Sequence, residues 1–134
     1  MQQLTSRLVE WLKDRARDAG AKGAVIGVSG GIDSAVAAVL CKRAFPDNVL
    51  GLLLPCYSIA EDAEHALLVT DRFQIPVETV KLDGVYDALI SILPANGNPN
   101  RRLAESNLKP RLRMATAYFF ANRLNYLVIG ASNR

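Results

Sequence analysis

A parallel α/β sheet with helices on both faces is the fold this sequence predicts, and three observations predict it. Stretches of helical period alternate with short apolar runs along the whole chain. Those runs are continuous in valine, isoleucine and leucine, as in strands buried on both faces. The 134 residues, half of them hydrophobic and 22% charged, hold no internal repeat, low-complexity tract or linker and make one domain's worth of core.

The elements follow in order. Leu4, Leu8, Trp11 and Leu12 recur at helical spacing, with Arg7, Glu10, Asp14 and Arg17 on other faces, and Gly20 and Gly23 end this first helix. Ala24 to Val28 is a short apolar run bounded by glycines, a buried strand. From Ala35 to Ala44 the period is helical again, with Val36, Val39, Leu40 and Ala44 along one side. Val49 to Leu54 makes a second strand, stopped by Pro55. Ser58 and Glu61 have capping-box spacing and open a helix through Ala66, Leu67 and Phe73. Val77 to Leu82 is a third strand, and Asp83 caps a short helix carrying Val85, Leu89 and Ile92. Residues 95 to 102 form a polar, turn-rich surface loop. A long helix then runs to about Leu124 with Leu108, Leu112, Ala115 and Phe119 on one face; Pro110 makes it either start near Lys109 or kink there. Tyr126 to Gly130 is the fourth strand.

Composition excludes several classes. A net charge of +3 without a basic run or aromatic-interleaved stripe gives no footprint for nucleic acid. No apolar run approaches membrane-spanning length, and Met1 to Arg7 is polar, so neither a membrane span nor a signal peptide is expected. Cys41 and Cys56 lack Cys-x-x-Cys spacing, which fits reduced thiols in a cytoplasmic protein. His65 has no partners at metal-ligand spacing and is expected on the surface.

The chemistry concentrates in Gly27-Val28-Ser29-Gly30-Gly31-Ile32-Asp33-Ser34, between the first strand and the second helix. Adjacent Gly30 and Gly31 permit backbone angles and a close approach that side chains would block. Ser29 and Ser34 offer hydroxyls, and the following helix points unpaired amides and its positive end at an anion. Asp33 would repel phosphate by itself; it makes sense as the holder of a metal ion that neutralises both. The plain alternative is a glycine turn with a serine cap. The loop is no Walker A, lacking Gly-Lys-Ser/Thr, and no Gly-x-Gly-x-x-Gly.

Ser29 to Ser34 resembles the SGGxDS loop of the PP-loop ATP pyrophosphatases, which bind ATP and cleave between its α and β phosphates. Further blocks are similar to NAD synthetase of the ammonia-dependent type: Leu54 to Ser58, Val85 to Leu89, Asn107 to Met114 and Asn125 to Asn133. The likeness runs from the first helix to the last residue, over about the N-terminal half of that family's catalytic domain. It implies a PP-loop, Rossmann-like fold with residues 1–134 as a single domain, truncated after the fourth strand. The implied activity is a ligase: ATP and Mg²⁺ adenylate the nicotinate carboxylate of deamido-NAD, then ammonia displaces AMP. No nucleophilic side chain is required, since positioning and charge neutralisation suffice.

Carried over residue by residue, the resemblance makes Gly27 to Ser34 the seat of the ATP phosphates, Asp33 the Mg²⁺ ligand and Arg111 a contact of deamido-NAD, with Arg113 as second choice or a structural residue. It also implies a homodimer in which the long helix lies at the interface, where Tyr118, Phe119 and Phe120 would serve if they are not plain core. This sequence departs from the family at Gly130-Ala131, where Gly-Thr is usual; Ala131 loses the hydroxyl and keeps a backbone contact to ATP. The family's second Mg²⁺ carboxylate and later site residues would follow Arg134, so the expectation is a fragment of a longer enzyme that does not turn over by itself. With only one helix ahead of the first strand, free ammonia or a separate glutaminase subunit is favoured over a fused glutaminase.

The alternatives are another PP-loop enzyme (a sulfur-transfer enzyme or a GMP synthetase-like ligase) and a non-catalytic ATP-binding module. A tRNA thiolase would want paired cysteines and a basic surface. A universal-stress-type nucleotide sensor carries its phosphate loop after the fourth strand, whereas here it follows the first.

Overall fold

The structure, a computed structural model, describes residues 2–94 and 100–130. The chain order is α1 (Gln2–Ala19), β1 (Gly23–Gly27), α2 (Ile32–Ala44), β2 (Val49–Leu53), α3 (Ala60–Arg72), β3 (Val77–Thr79), α4 (Asp83–Ile92), α5 (Arg101–Ser106), α6 (Leu108–Leu124) and β4 (Tyr126–Ile129). All strand pairs are parallel, in the order β3-β2-β1-β4. The predicted parallel sheet is therefore present, and its order reverses at β1, with β2 on one side and β4 on the other.

Alternate residues of β1 explain why its sequence reads as an unbroken apolar run. Ala24 and Ile26 enter a core with Leu12 and Ala16 of α1, Ala38 and Cys41 of α2 and Ala66 of α3. Val25 enters the opposite core, with Leu52, Leu82 and, from α6, Ala117 and Ala121. Both faces are dry, so both parities must be apolar. At the far edge of the sheet Asn125 turns left-handed (φ 60°) to end α6. Its Nδ2 donates to Gly20 O at 3.0 Å, and Lys22 N donates to its carbonyl at 2.8 Å. These bonds tie the end of α1 to the end of α6.

Several local expectations are corrected. On α1, Leu12 and Ala16 are buried, but Leu4, Leu8 and Trp11 are exposed. On α2, the side facing the sheet is Ser34, Ala38, Cys41 and Ala44, while Val36 points outward. A helix crossing close over a parallel sheet has room for small residues, so size decides which side is buried. The helix also begins earlier than expected, at Ile32. Ser58 does not cap α3; Ile59 occupies that position without a side-chain bond, because Ser58 Oγ accepts from Cys56 N at 3.2 Å. Asp83 sits inside α4 rather than at its cap. β3 stops at Thr79, although Val80 N and Leu82 N still donate to Leu53 O (2.9 Å) and Pro55 O (2.8 Å).

The loop expected over residues 95–102 falls partly outside the described residues; Arg101 and Arg102 belong to α5. Pro110 is the third residue of α6, in the first turn where a missing N–H costs no helical bond, so the helix starts near it instead of kinking. On α6, Ala117 and Ala121 are buried rather than Ala115 and Phe119; Tyr118 and Phe119 are exposed and Phe120 is half-buried.

Candidate nucleotide site

Parallel sheets bind ligands where strand order reverses, at the carboxyl ends of the strands. Here that place is the end of β1, and the segment leaving it is the Gly-Gly loop. Gly30 has φ +91°, in the region side chains avoid, and a Cβ there would lie 2.5 Å from Asp62 O. The first turn of α3 thus packs directly on the loop. Gly31 then caps α2 with extended backbone (φ −83°, ψ 165°) and no side-chain bond to the helix amides.

The two serines hold this shape. Ser34 Oγ accepts from Ser29 N at 3.1 Å, lies 3.1 Å from Ser29 Oγ and donates to Gly31 O at 3.2 Å. Ser29 Oγ accepts in turn from Gly31 N at 3.5 Å. Ser34 is 5% exposed, so its hydroxyl ties the loop from within. What faces solvent is main chain and charge. Ile32 is 80% exposed, so its side chain takes no part in the packing of the loop. Asp33 is exposed and forms no ion pair among the described residues. Gly27 and Ser29 are exposed while Val28 is buried, its N–H donating to Leu52 O at 2.9 Å. Uncapped amides at the start of α2, with the positive end of its dipole behind them, form an anion receptor. A bound nucleotide fits here: the first amides of α2 have no side-chain cap, and beside Gly31 the nearest atom a Cβ would meet is Ser29 Oγ at 3.7 Å, whereas the space beside Gly30 is taken by Asp62. Mg²⁺ fits as well, since it takes one or two protein carboxylates and completes its shell with phosphate oxygen and water; Asp33 is the carboxylate at hand. Among the described residues no cluster of three metal-ligating side chains occurs.

A second cluster lies beyond β2. Tyr57 adopts φ +55°, a strained setting for a bulky residue. Its N–H donates to Asp83 Oδ1 at 3.0 Å and its hydroxyl to Asp87 Oδ2. The Asp87 bond foremost, with desolvation, pushes its pKa up to about 12. Tyr86 meets its ring edge-on at 5.9 Å, and Lys109 Nζ lies 5.9 Å and 5.4 Å from the two ring centroids. Arg113 Nε donates to Leu54 O at 2.9 Å and its Nη2 to Ser58 Oγ at 3.5 Å. Arg113 is thereby a structural strut, while Arg111, two residues away, is exposed. The sequence gives no sign of this network, which joins residues far apart in the chain and has no periodic signature. Ala131 lies outside the described residues. An apolar groove between α1, α2 and α3, lined by Ala35, Val36, Val39, Leu40, Val69 and Phe73 with Thr5 and Arg43, reads as helix packing.

A parallel α/β sheet with a glycine turn and an uncapped helix start at its switch point has the architecture of nucleotide-binding α/β domains. Comparison with known proteins gives the family: the NAD synthase model matches residues 4–134, and the chain belongs to that family. It is 46% identical to an NH₃-dependent NAD⁺ synthetase of Carboxydothermus hydrogenoformans, over 99% of this chain and 55% of that protein. Among solved structures it is similar to the NH₃-dependent NAD synthetase of Campylobacter jejuni (32% identity, TM-score 0.89, 98% of this chain and 56% of that one). It is equally similar to the NMN synthetase of Francisella tularensis (32% identity, TM-score 0.90, 98% and 54%). The chain spans about half the length of the relatives it matches.

Proposed function

We propose that residues 1–134 are the ATP-gripping, N-terminal part of the ATP-pyrophosphatase domain of an ammonia-dependent NAD synthetase, working in the cytoplasm as a homodimer. The observation that carries this is the uncapped start of α2 behind Gly30 and Gly31 at the switch point. Gly27 to Ser34 hold the phosphates of ATP, with main-chain amides as donors and Ser29 and Ser34 as internal braces. Ala131 adds a backbone contact. Asp33 holds Mg²⁺, which when bound supplies neutralising charge to the phosphates. Arg111 takes an anionic group of deamido-NAD.

The nicotinate carboxylate attacks the α-phosphorus of ATP and pyrophosphate leaves. Ammonia then adds at the activated carbonyl carbon, AMP departs, and the amide of NAD results. Carboxylate oxygen is a poor leaving group until adenylated, so the protein's task is to bring charged reactants together. The Francisella tularensis structure described as an NMN synthetase makes the mononucleotide acid the rival substrate.

Ligand-induced thermal shifts test the assignment, because a ligand at about 100 times its Kd stabilises the chain by roughly 2.7 kcal/mol. ATP with Mg²⁺ should raise the melting temperature, and deamido-NAD should raise it further. Nicotinate mononucleotide, xanthosine monophosphate and tRNA are the comparison ligands. No shift with ATP, or a larger one with a comparison ligand than with deamido-NAD, refutes the assignment.

A further inference from the structure

On α6, Lys109 and Arg113 are one helical turn apart and share a face, while Arg111 between them points the other way. Both flanking cations reach the segment after β2: Lys109 over the rings of Tyr57 and Tyr86, Arg113 to Leu54 O and Ser58 Oγ. Those two grasps, together with the burial of Ala117 and Ala121 in the core, set the rotation of α6 and so the direction Arg111 faces. The grasped segment is itself pinned to α4 through Asp83 and Asp87. It leads straight into α3, whose first turn lies against Gly30 so closely that a methyl group would not fit.

The geometry points to Arg113, supported by Lys109, as a positioning residue that couples the phosphate loop to Arg111. The route is contiguous: Gly30, the Asp62 backbone, Ser58, Arg113, α6. A nucleotide that tightens the loop against α3 steadies residues 54–58 and holds α6 in the register that presents Arg111. By linkage, deamido-NAD then tightens ATP binding by the same factor. This inference rests on the assignment of the loop to ATP and of Arg111 to deamido-NAD.

The test is the ratio of deamido-NAD dissociation constants without and with saturating Mg²⁺ and α,β-methylene-ATP, measured by calorimetry on this chain. The wild-type ratio is expected to be about fivefold or more, the lower end for allosteric coupling. Arg113→Gln should bring it to about one while leaving affinity for the ATP analogue alone within about twofold; Arg113→Lys, which restores one donor to Leu54 O, should recover part of it. Lys109→Met, which keeps the aliphatic stem over the rings, serves as the second variant and should lower the ratio too. A wild-type chain that binds the analogue with a ratio of one, or takes no deamido-NAD, overturns the inference, as does full coupling in both Arg113→Gln and Lys109→Met. A chain that binds no ATP analogue sinks the loop assignment first, and this inference with it.

Discussion

Replacing Gly30 by alanine should damage this protein far more than replacing its neighbour. At φ +91° an L-residue costs roughly 1–2 kcal/mol in backbone strain. The new Cβ would also stand 2.5 Å from Asp62 O and 3.1 Å from Asp62 C and Cα, which are backbone atoms of a helix and cannot swing aside. Relieving that overlap moves either the loop or the first turn of α3, at a cost of roughly 1–3 kcal/mol typical of overpacking. The sum is about 2–5 kcal/mol, or roughly 8–20 °C in melting temperature for a chain of this size. Gly31→Ala is the control: φ is −83° and the nearest atom to a new Cβ is Ser29 Oγ at 3.7 Å. Only the poorer capping of alanine is felt there, about 1 kcal/mol. Thermal unfolding by circular dichroism ranks the two, and titration with ATP and Mg²⁺ should show the weaker binding in Gly30→Ala. If Gly30→Ala melts within a degree or two of wild type, or above Gly31→Ala, the packing of α3 on the loop is wrong.

Asp33→Asn should change stability by less than about 1 kcal/mol, since only a helix-end charge is lost, yet abolish the Mg²⁺-dependent part of ATP affinity by roughly tenfold or more; equal ATP affinities with and without Mg²⁺ in the wild type would count against Asp33 as the ligand. The bond to Asp87 holds the Tyr57 hydroxyl up at about 12, above the ordinary 10.0 of a tyrosine, so its contribution to stability is fully present below pH 10.0 and is lost as pH rises through 12. Tyr57→Phe should flatten that alkaline loss in melts recorded across this window, and an unchanged profile would show that Asp87 does not hold the phenol. Burial pushes the Cys41 thiol up to about 12 and raises that of Cys56, so neither should react quickly with a thiol reagent at pH 8 in the folded chain. Both should react on denaturation, and rapid labelling of the native protein would contradict the packed cores around them.

The strand order along the chain and the site loop were legible because both are local patterns. Ala24 to Val28 is apolar at every position since β1 faces two cores, and Gly30-Gly31-Ile32-Asp33-Ser34 has its meaning within one turn. Where the reading slipped, distant partners decided. Val36, Val39 and Leu40 look like the buried face of α2 by size, but full burial falls to Ser34, Ala38, Cys41 and Ala44, while Val36 is exposed and Leu40 is only partly buried against the same core. Ser58 has the spacing of a cap, but Cys56 and Arg113 claim its hydroxyl. Asp83 has the look of another, and Tyr57 takes its carboxylate. The abutment of Asp62 on Gly30 joins residues 32 apart and leaves no trace in either segment's composition.

The placement of β4 beside β1 also bears on how the chain assembles. Ala24 pairs with Val49 after a short excursion, whereas Gly23 meets Tyr126 only after about a hundred residues. Closing the longer circuit costs roughly 1.2 kcal/mol more in chain entropy, two doublings of length at about 0.6 kcal/mol each. The β1–α2–β2 unit is thus the economical nucleus, and the last strand arrives late. The glycine loop, framed by β1, α2 and the first turn of α3, can therefore take shape before that last strand docks.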